Sequence, residues 1–398
     1  MEEQLDDGDI QLAHSYRLSL AAAPRQSSFR VVAVIFYELL NDDANQQEQQ
    51  RLHVVGTNDE PCYINGSICA ERAALVQLRF LPLKRITKII ITADAPHPIF
   101  PGMLCREFMS SHLYIDPETT PIVIAGSVCQ AQGQGARADC NLDIGANGTH
   151  HDLDRLESGC SMSLGKYHGW EVVRTTLCEL YPHASPYTRL TAGESFKLGT
   201  RLSAAAASMK DDDDDNFVRE KGKLSKTTRA LIQKATAAAQ EGNDRSELHP
   251  IQYGAAVLFT DGSVQTACQM KTLEYGCSLD AVTQLATSIG EKMKVQVNGN
   301  GHGNDNGDGN GDGENKPEIY AGIRPRLLVQ TDQFGVVHTP FASARAFLSE
   351  FGYGDCGVLV KGSGSPGLTG LEEHQDIVEV TVNDIAPSVP QIRGLWKE

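Results

Sequence analysis

Apolar positions in the first 125 residues follow two alternating rhythms. Roughly 10–23 spaces them as one helical face, Phe29 to Phe36 reads as a strand, and a second strand follows near Leu52 to Val55. After a polar loop over 56–68, Cys69 to Leu81 returns to helical spacing through Ala70, Ala73, Ala74 and Leu78. Ile86 to Thr92 is then a β-branched run of the kind that fills a buried strand. Leu104 to His112 is helical again, and Ile122-Val123-Ile124 is a strand. Strands alternating with helices predict an α/β sheet with helices layered on its faces.

The rhythm breaks three times. Residues 127–165 are rich in Gly, Ser, Asp and Gln with little period, which predicts a surface insertion before the pattern resumes at Trp170. Residues 191–222, with the acidic run Asp211 to Asp215, predict a solvated linker. A second insertion covers about 297–317. It contains Asp308-Gly309-Asn310-Gly311-Asp312-Gly313, the opening of a calcium-loop pattern, but the position that should supply a bidentate Glu is Ile319, so the segment is read as low-complexity loop. The organisation expected is a module over 1–190, a linker over 191–222 and a module over 223–398.

The two modules echo each other. Val31 to Phe36 matches Gly254 to Phe259, Ala74 to Leu78 matches Ala281 to Leu285, Arg106 to Met109 matches Arg345 to Leu348, and Thr176 to Pro182 matches Thr381 to Pro387, all in the same order. Read through these matches, Cys69 falls on Gly276, Glu71 on Ser278, Arg72 on Leu279 and Cys105 on Ala344, so packing positions persist while ionisable ones are lost. The second module is expected to contribute surface and stability, not chemistry.

A length of 398 residues suits two domains that each bury a core. With 51 acidic against 35 basic residues the formal charge is −16, which makes nucleic acid a poor partner. No apolar run approaches the ~20 residues of a membrane span, and the acidic start Met1 to Asp7 is unlike a secretory signal, so a cytoplasmic, membrane-free protein is expected. Ten cysteines over this length are too sparse for a disulfide framework; they are read as packed residues or metal ligands.

Two of them stand out. Cys69 opens a helix in Cys69-Ala70-Glu71-Arg72, and Cys105 opens a later one. Helix starts favour thiolates, which suit zinc. A catalytic zinc takes three protein ligands and one open position, with a carboxylate nearby to move protons, and Glu71 shares the first turn with Cys69. The bland reading of Cys69 is a small buried residue at a helix start.

With these motifs the chain resembles the cytidine deaminase family, whose first motif reads Cys-Ala-Glu-Arg and whose second reads Pro-Cys-x-x-Cys-Arg. Asn58 and Glu60 match the family's Asn-x-Glu pair, Phe29-Arg30-Val31 its strand entry, and Glu179 to His183 its C-terminal helix. The resemblance covers most of residues 10–190 outside the insertion. It implies two cytidine deaminase-like αβα modules, each a mixed sheet layered with helices, only the first of them active. The activity implied is zinc-dependent hydrolytic deamination of cytidine or deoxycytidine to uridine or deoxyuridine and ammonia, a pyrimidine salvage step. By the same resemblance Cys69 and Cys105 hold zinc and Glu71 is the catalytic proton relay. Arg72 hydrogen-bonds the ligand sulfurs, Asn58 and Glu60 hold the sugar, and Phe29 lines the base pocket. Other double-module members suggest a homodimer acting on a small nucleoside.

The second motif departs from the family's. Phe100-Pro101-Gly102-Met103-Leu104-Cys105-Arg106 has Gly102 where a third ligand is expected. His97 and Cys62, both on nearby loops, are the candidate substitutes, His97 the first. If neither serves, the alternative is a catalytically silent nucleoside-binding or scaffold protein of the same fold.

Overall fold

Strand pairing in the computed structural model follows one scheme twice. The structure describes residues 2–19, 21–40, 52–62, 66–127, 163–167, 170–208, 224–242, 246–298, 323–362 and 377–387. The chain divides into two compact units, the first running to Pro182 and including Pro387, the second running from His183 to Ala386. The boundary lies ahead of residue 190, for a reason given below.

In the first unit the order is α1 (Glu2–Ser19), β1 (Val31–Leu39), β2 (His53–Thr57), α2 (Ala70–Gln77), β3 (Leu83–Ala93), α3 (Met103–Ser110), β4 (Ile122–Ser127), β5 (Ser163–Tyr167), β6 (Trp170–Thr175) and α4 (Leu177–Leu180). The strands form a mixed sheet in the order β2-β1-β3-β4-β6-β5. β1 runs antiparallel to β2 and β3, β3 runs parallel to β4, and β4 runs antiparallel to β6. The parallel pair is central and wholly buried: Ile89, Ile90 and Ile91 lie beside Ile122, Val123 and Ile124. Such β-branched runs are what a sheet covered on both faces requires. On one face Val32, Val34 and Phe36 pack with Ile10 and Ala13 of α1. The helix expected over 10–23 therefore starts earlier and ends at Ser19, and Phe29 stands before β1 rather than in it.

The second unit contains α5 (Ala192–Ser208), α6 (Lys226–Glu241), β7 (Tyr253–Phe259), β8 (Val264–Cys268), α7 (Ala281–Asn298), β9 (Pro325–Asp332), β10 (Val337–His338), α8 (Ala342–Glu350), β11 (Gly357–Lys361), β12 (Ile377–Thr381) and α9 (Val382–Ile385). Its sheet runs β12-β11-β9-β7-β8 with β10 beside β9, and the pairings repeat those of the first: antiparallel β8/β7 and β7/β9, parallel β9/β11, antiparallel β11/β12. Both units are thus mixed sheets layered with helices, an α/β fold.

Two expectations change, and one falls largely outside the described residues. Residues 192–208 form a helix where a linker was expected. Leu198 and Leu202, one turn apart, pack with Tyr187, Ile251 and Tyr253, and Gly199 lacks the Cβ that would meet the Phe334 ring at 2.4 Å and the Tyr187 hydroxyl at 2.5 Å. The segment after Pro182 belongs to the second unit for that reason. Of the insertion expected over 127–165, residues 128–162 lie outside the described residues, and from Ser163 the chain is strand β5. Of the one over 297–317, residues 299–317 lie outside them.

The register of the repeat also shifts. Asn58 N donates to Val31 O as Gln269 N does to Tyr253 O, and the isolated bridge Asp59↔Ile68 has its counterpart in Met270↔Leu279. Cys69 therefore corresponds to Asp280, Glu71 to Val282 and Arg72 to Thr283, four residues beyond the positions given by letter matching. Short Ala/Leu patterns align equally well one helical turn out of step, and backbone pairing decides between them. Arg106 and Arg345 do correspond. Each is fully buried, with Nε donating to the oxygen of Pro101 or Pro340 at 2.7 Å and a guanidinium nitrogen reaching Leu180 O or Ile385 O at 2.9 Å.

Candidate metal centre

α2 and α3 each begin where a loop turns from extended to helical backbone. Cys69 is the N-cap of α2, and Gly102, at φ −62 and ψ 158, is the N-cap of α3, with Cys105 in its first turn. Neither cap residue makes a side-chain hydrogen bond to its helix. α2 sits hard against β2 because of Gly56. A Cβ there would stand 2.2 Å from Ala70 O and 2.4 Å from Ala74 N.

The result is a cluster. The sulfurs of Cys69 and Cys105 and a carboxylate oxygen of Glu71 all lie within 4.8 Å of one another, the only group of its kind among the described residues. Cys105 is fully buried, Glu71 is 4% exposed, and Cys69 is half-buried. Arg72 donates to Ser67 O at 3.1 Å and to the Cys69 sulfur at 3.9 Å.

The electrostatics are those of a proton shared among groups too close to ionise together. The Cys69 thiol is drawn down to about 7 by its hydrogen bond with Cys105, with Arg72 assisting and burial and Glu71 opposing. Cys105 moves the other way, up, through that same bond and its burial. Glu71 is raised, chiefly by burial. Ionising all three groups creates three negative charges, which a divalent cation and Arg72 would together neutralise. Two soft sulfurs and a carboxylate oxygen are donors of the kind zinc takes, so the residues fit that metal.

Around this cluster the other candidates are placed as follows. Asn58 Oδ1 accepts from Val31 N at 2.8 Å, and its Nδ2 donates to Phe29 O at 2.8 Å and Glu60 Oε1 at 3.3 Å. Glu60 accepts from the backbone and hydroxyl of Ser27, each at 2.9 Å. The Asp59↔Ile68 bridge holds this polar loop beside the residue that precedes Cys69. Phe29 is half-buried in the segment that the loop grips.

His97 is not brought to the cluster. Its Nδ1 pairs with Glu171 Oε2 at 2.7 Å, its side chain is 72% exposed, and its backbone is pinned against Gly126, where a Cβ would lie 2.5 Å from His97 C. Cys62 is exposed and also outside the group. A Cβ built on Gly102 would meet nothing within 4 Å. One residue that sequence reasoning passed over is Arg106, which fastens Pro101 to the end of α4 and so fixes the turn from which Cys105 projects. Its signal was present in the recurrence of arginine at 345. No helix among the described residues is long and apolar enough to cross a membrane.

No family model matches the chain, and no curated protein does. Among solved structures it is similar to a cytidine deaminase from Mycobacterium tuberculosis, with 20% identity over 42% of this chain and 97% of that one and a TM-score of 0.27. Cytidine deaminases from Burkholderia pseudomallei (22% identity, 32% and 87% covered, TM-score 0.24) and Mycobacterium leprae (16%, 40% and 96%, TM-score 0.26) are similar in the same way.

Proposed function

We propose that the first unit is a zinc-dependent hydrolytic deaminase of cytidine-type nucleosides, acting in pyrimidine salvage, and that the second unit is catalytically silent. The observation that carries this is the convergence of Cys69, Cys105 and Glu71 at two helix starts. The likeness of Cys69-Ala70-Glu71-Arg72 and Cys105-Arg106 to the cytidine deaminase motifs supports it.

Cys69 and Cys105 would hold the metal, and a bound zinc would lower the pKa of water and so supply a nucleophile for hydrolysis at a ring carbon bearing an amine. The residues of the chain perform the remaining tasks. Glu71, buried and favouring its protonated form, can give its proton to the ring nitrogen, take one from the attacking water and pass that one to the departing amine. Arg72 moderates the charge on the Cys69 sulfur. Asn58 and Glu60, already fixed by the 27–31 segment, offer carboxylate and amide groups to sugar hydroxyls without having to be ordered on binding. In the second unit the corresponding positions are Asp280, Val282, Thr283 and Ala344, which lack the thiols and the catalytic carboxylate.

The open space at Gly102 favours a second reading, a nucleoside-binding protein that has lost turnover. Metal analysis and ammonia release separate the two. The proposal expects about one zinc per chain in purified full-length protein, ammonia from cytidine or deoxycytidine, and loss of both in Cys69→Ala and Cys105→Ala. Protein that binds nucleoside but releases no ammonia when zinc-loaded supports the second reading.

A further inference from the structure

We propose that Glu71 is itself a ligand of the cation in the resting protein, completing with Cys69 and Cys105 a set of two sulfurs and one oxygen; this rests on the metal-centre reading above. Three observations lead there. Among the described residues, no other His, Cys, Asp or Glu joins the group. On the α3 side the N-cap is Gly102, which has no side chain and whose missing Cβ would touch nothing within 4 Å, so a third donor is not supplied from that turn. The Glu71 carboxyl, by contrast, is 4% exposed and lies within 4.8 Å of both sulfurs.

Donor atoms around one tetrahedral zinc stand roughly 3.5–3.8 Å apart, given bonds of about 2.0–2.3 Å, so the three groups need only close slightly on a common centre. With Glu71 as the third ligand the centre reaches three protein ligands and keeps one open position, the number a hydrolytic zinc site uses. Glu71 would hold the cation in the resting protein and would be available for the proton role only when it is not serving as a ligand.

The test is cadmium binding to metal-free full-length protein, read by sulfur-to-cadmium charge transfer and by competition with a chromophoric chelator. Glu71→Gln, which keeps shape but removes the anionic donor, should weaken affinity at least about tenfold. Glu71→His, which restores a donor of similar reach, should bind within a few-fold of the parent. Glu71→Gln binding as tightly as the parent would overturn the proposal and leave the metal centre standing. Equal weakening in both variants would also overturn it, because the carboxylate would then act through folding. If Cys69→Ala and Cys105→Ala keep the parent's charge-transfer band, the metal-centre reading itself is wrong.

Discussion

Ser343 Oγ donates to Asp280 Oδ2 and so joins the start of α8 to the start of α7, the same two helix ends that in the first unit carry Cys105 and Cys69. Asp280 also accepts from the backbone N of Thr283 at 2.8 Å and from its hydroxyl. The second unit therefore closes this junction with a satisfied helix cap. In the first unit, where the caps are Cys69 and Gly102, two thiols and a carboxyl occupy the junction, with Arg72 beside them. A cation would do for α2 and α3 what Asp280 does for α7 and α8.

If that equivalence holds, Asp280→Ala should loosen the second unit without touching the metal. Loss of an N-cap costs about 1–2 kcal/mol. The expected result is an acceleration of roughly tenfold in amide exchange over the first turns of α7, with zinc content unchanged. Exchange mapped by mass spectrometry reads the first and metal analysis the second. Loss of zinc in this variant would show that the second unit supports the site directly.

The thiol pair makes a prediction about pH. Because the Cys69 thiol is lowered to about 7, its reactive thiolate is populated above that pH and disappears as pH falls through it. In metal-free protein, iodoacetamide should label Cys69 half-maximally near pH 7, while Cys105, raised and fully buried, stays unlabelled across the same range. Cys105→Ala removes the hydrogen bond responsible and should move the Cys69 midpoint back up toward 9.0. Peptide mapping across a pH series measures both, and an unshifted midpoint in Cys105→Ala would contradict the assigned cause.

Much of this was legible in the residue order. The isoleucine run of β3, the alternation around it and the pairing of Glu71 with Cys69 follow from local spacing, which backbone geometry enforces directly. Three features were not legible because they depend on contacts distant in sequence. The α5 helix lies in an Ala- and Gly-rich stretch whose apolar face, Leu198 and Leu202, is evident only once Tyr187 and Ile251 are seen against it. The repeat slipped by one helical turn because Ala and Leu recur at that interval. His97 is a candidate by proximity in sequence, yet Glu171, which captures it, is 74 residues away.

Two glycines near the site should respond to very different degrees. Gly56→Ala places a Cβ against the backbone of α2, which cannot yield as a flexible side chain would. A destabilisation of about 1–3 kcal/mol is expected from such overpacking, together with weaker zinc retention as Cys69 moves. Gly102→Ala meets open space at an unstrained φ and should change stability by only about 0.5 kcal/mol. Denaturation midpoints with parallel metal analysis test the contrast, and equal effects from the two substitutions would mean that α2 is not held by this approach.

The buried arginines offer the sharpest separation of structure from site. Arg106 spans Pro101 O and Leu180 O, and Arg345 makes the equivalent bonds to Pro340 O and Ile385 O while also reaching His183 O at 3.0 Å. Replacing either by Met leaves carbonyl groups without a charged donor, at a cost of about 1.5–3 kcal/mol for each bond lost. The two variants should therefore destabilise their own units to a similar degree. Only Arg106→Met should release zinc, because only that arginine fixes the turn before Cys105. Arg106→Lys, which can satisfy one carbonyl but not span two, should fall between parent and Met in metal affinity. Metal affinity measured by chelator competition, beside local exchange in α3 and α8, decides the point: if Arg345→Met sheds zinc as readily as Arg106→Met, the effect is general loosening and Arg106 has no particular hold on the centre.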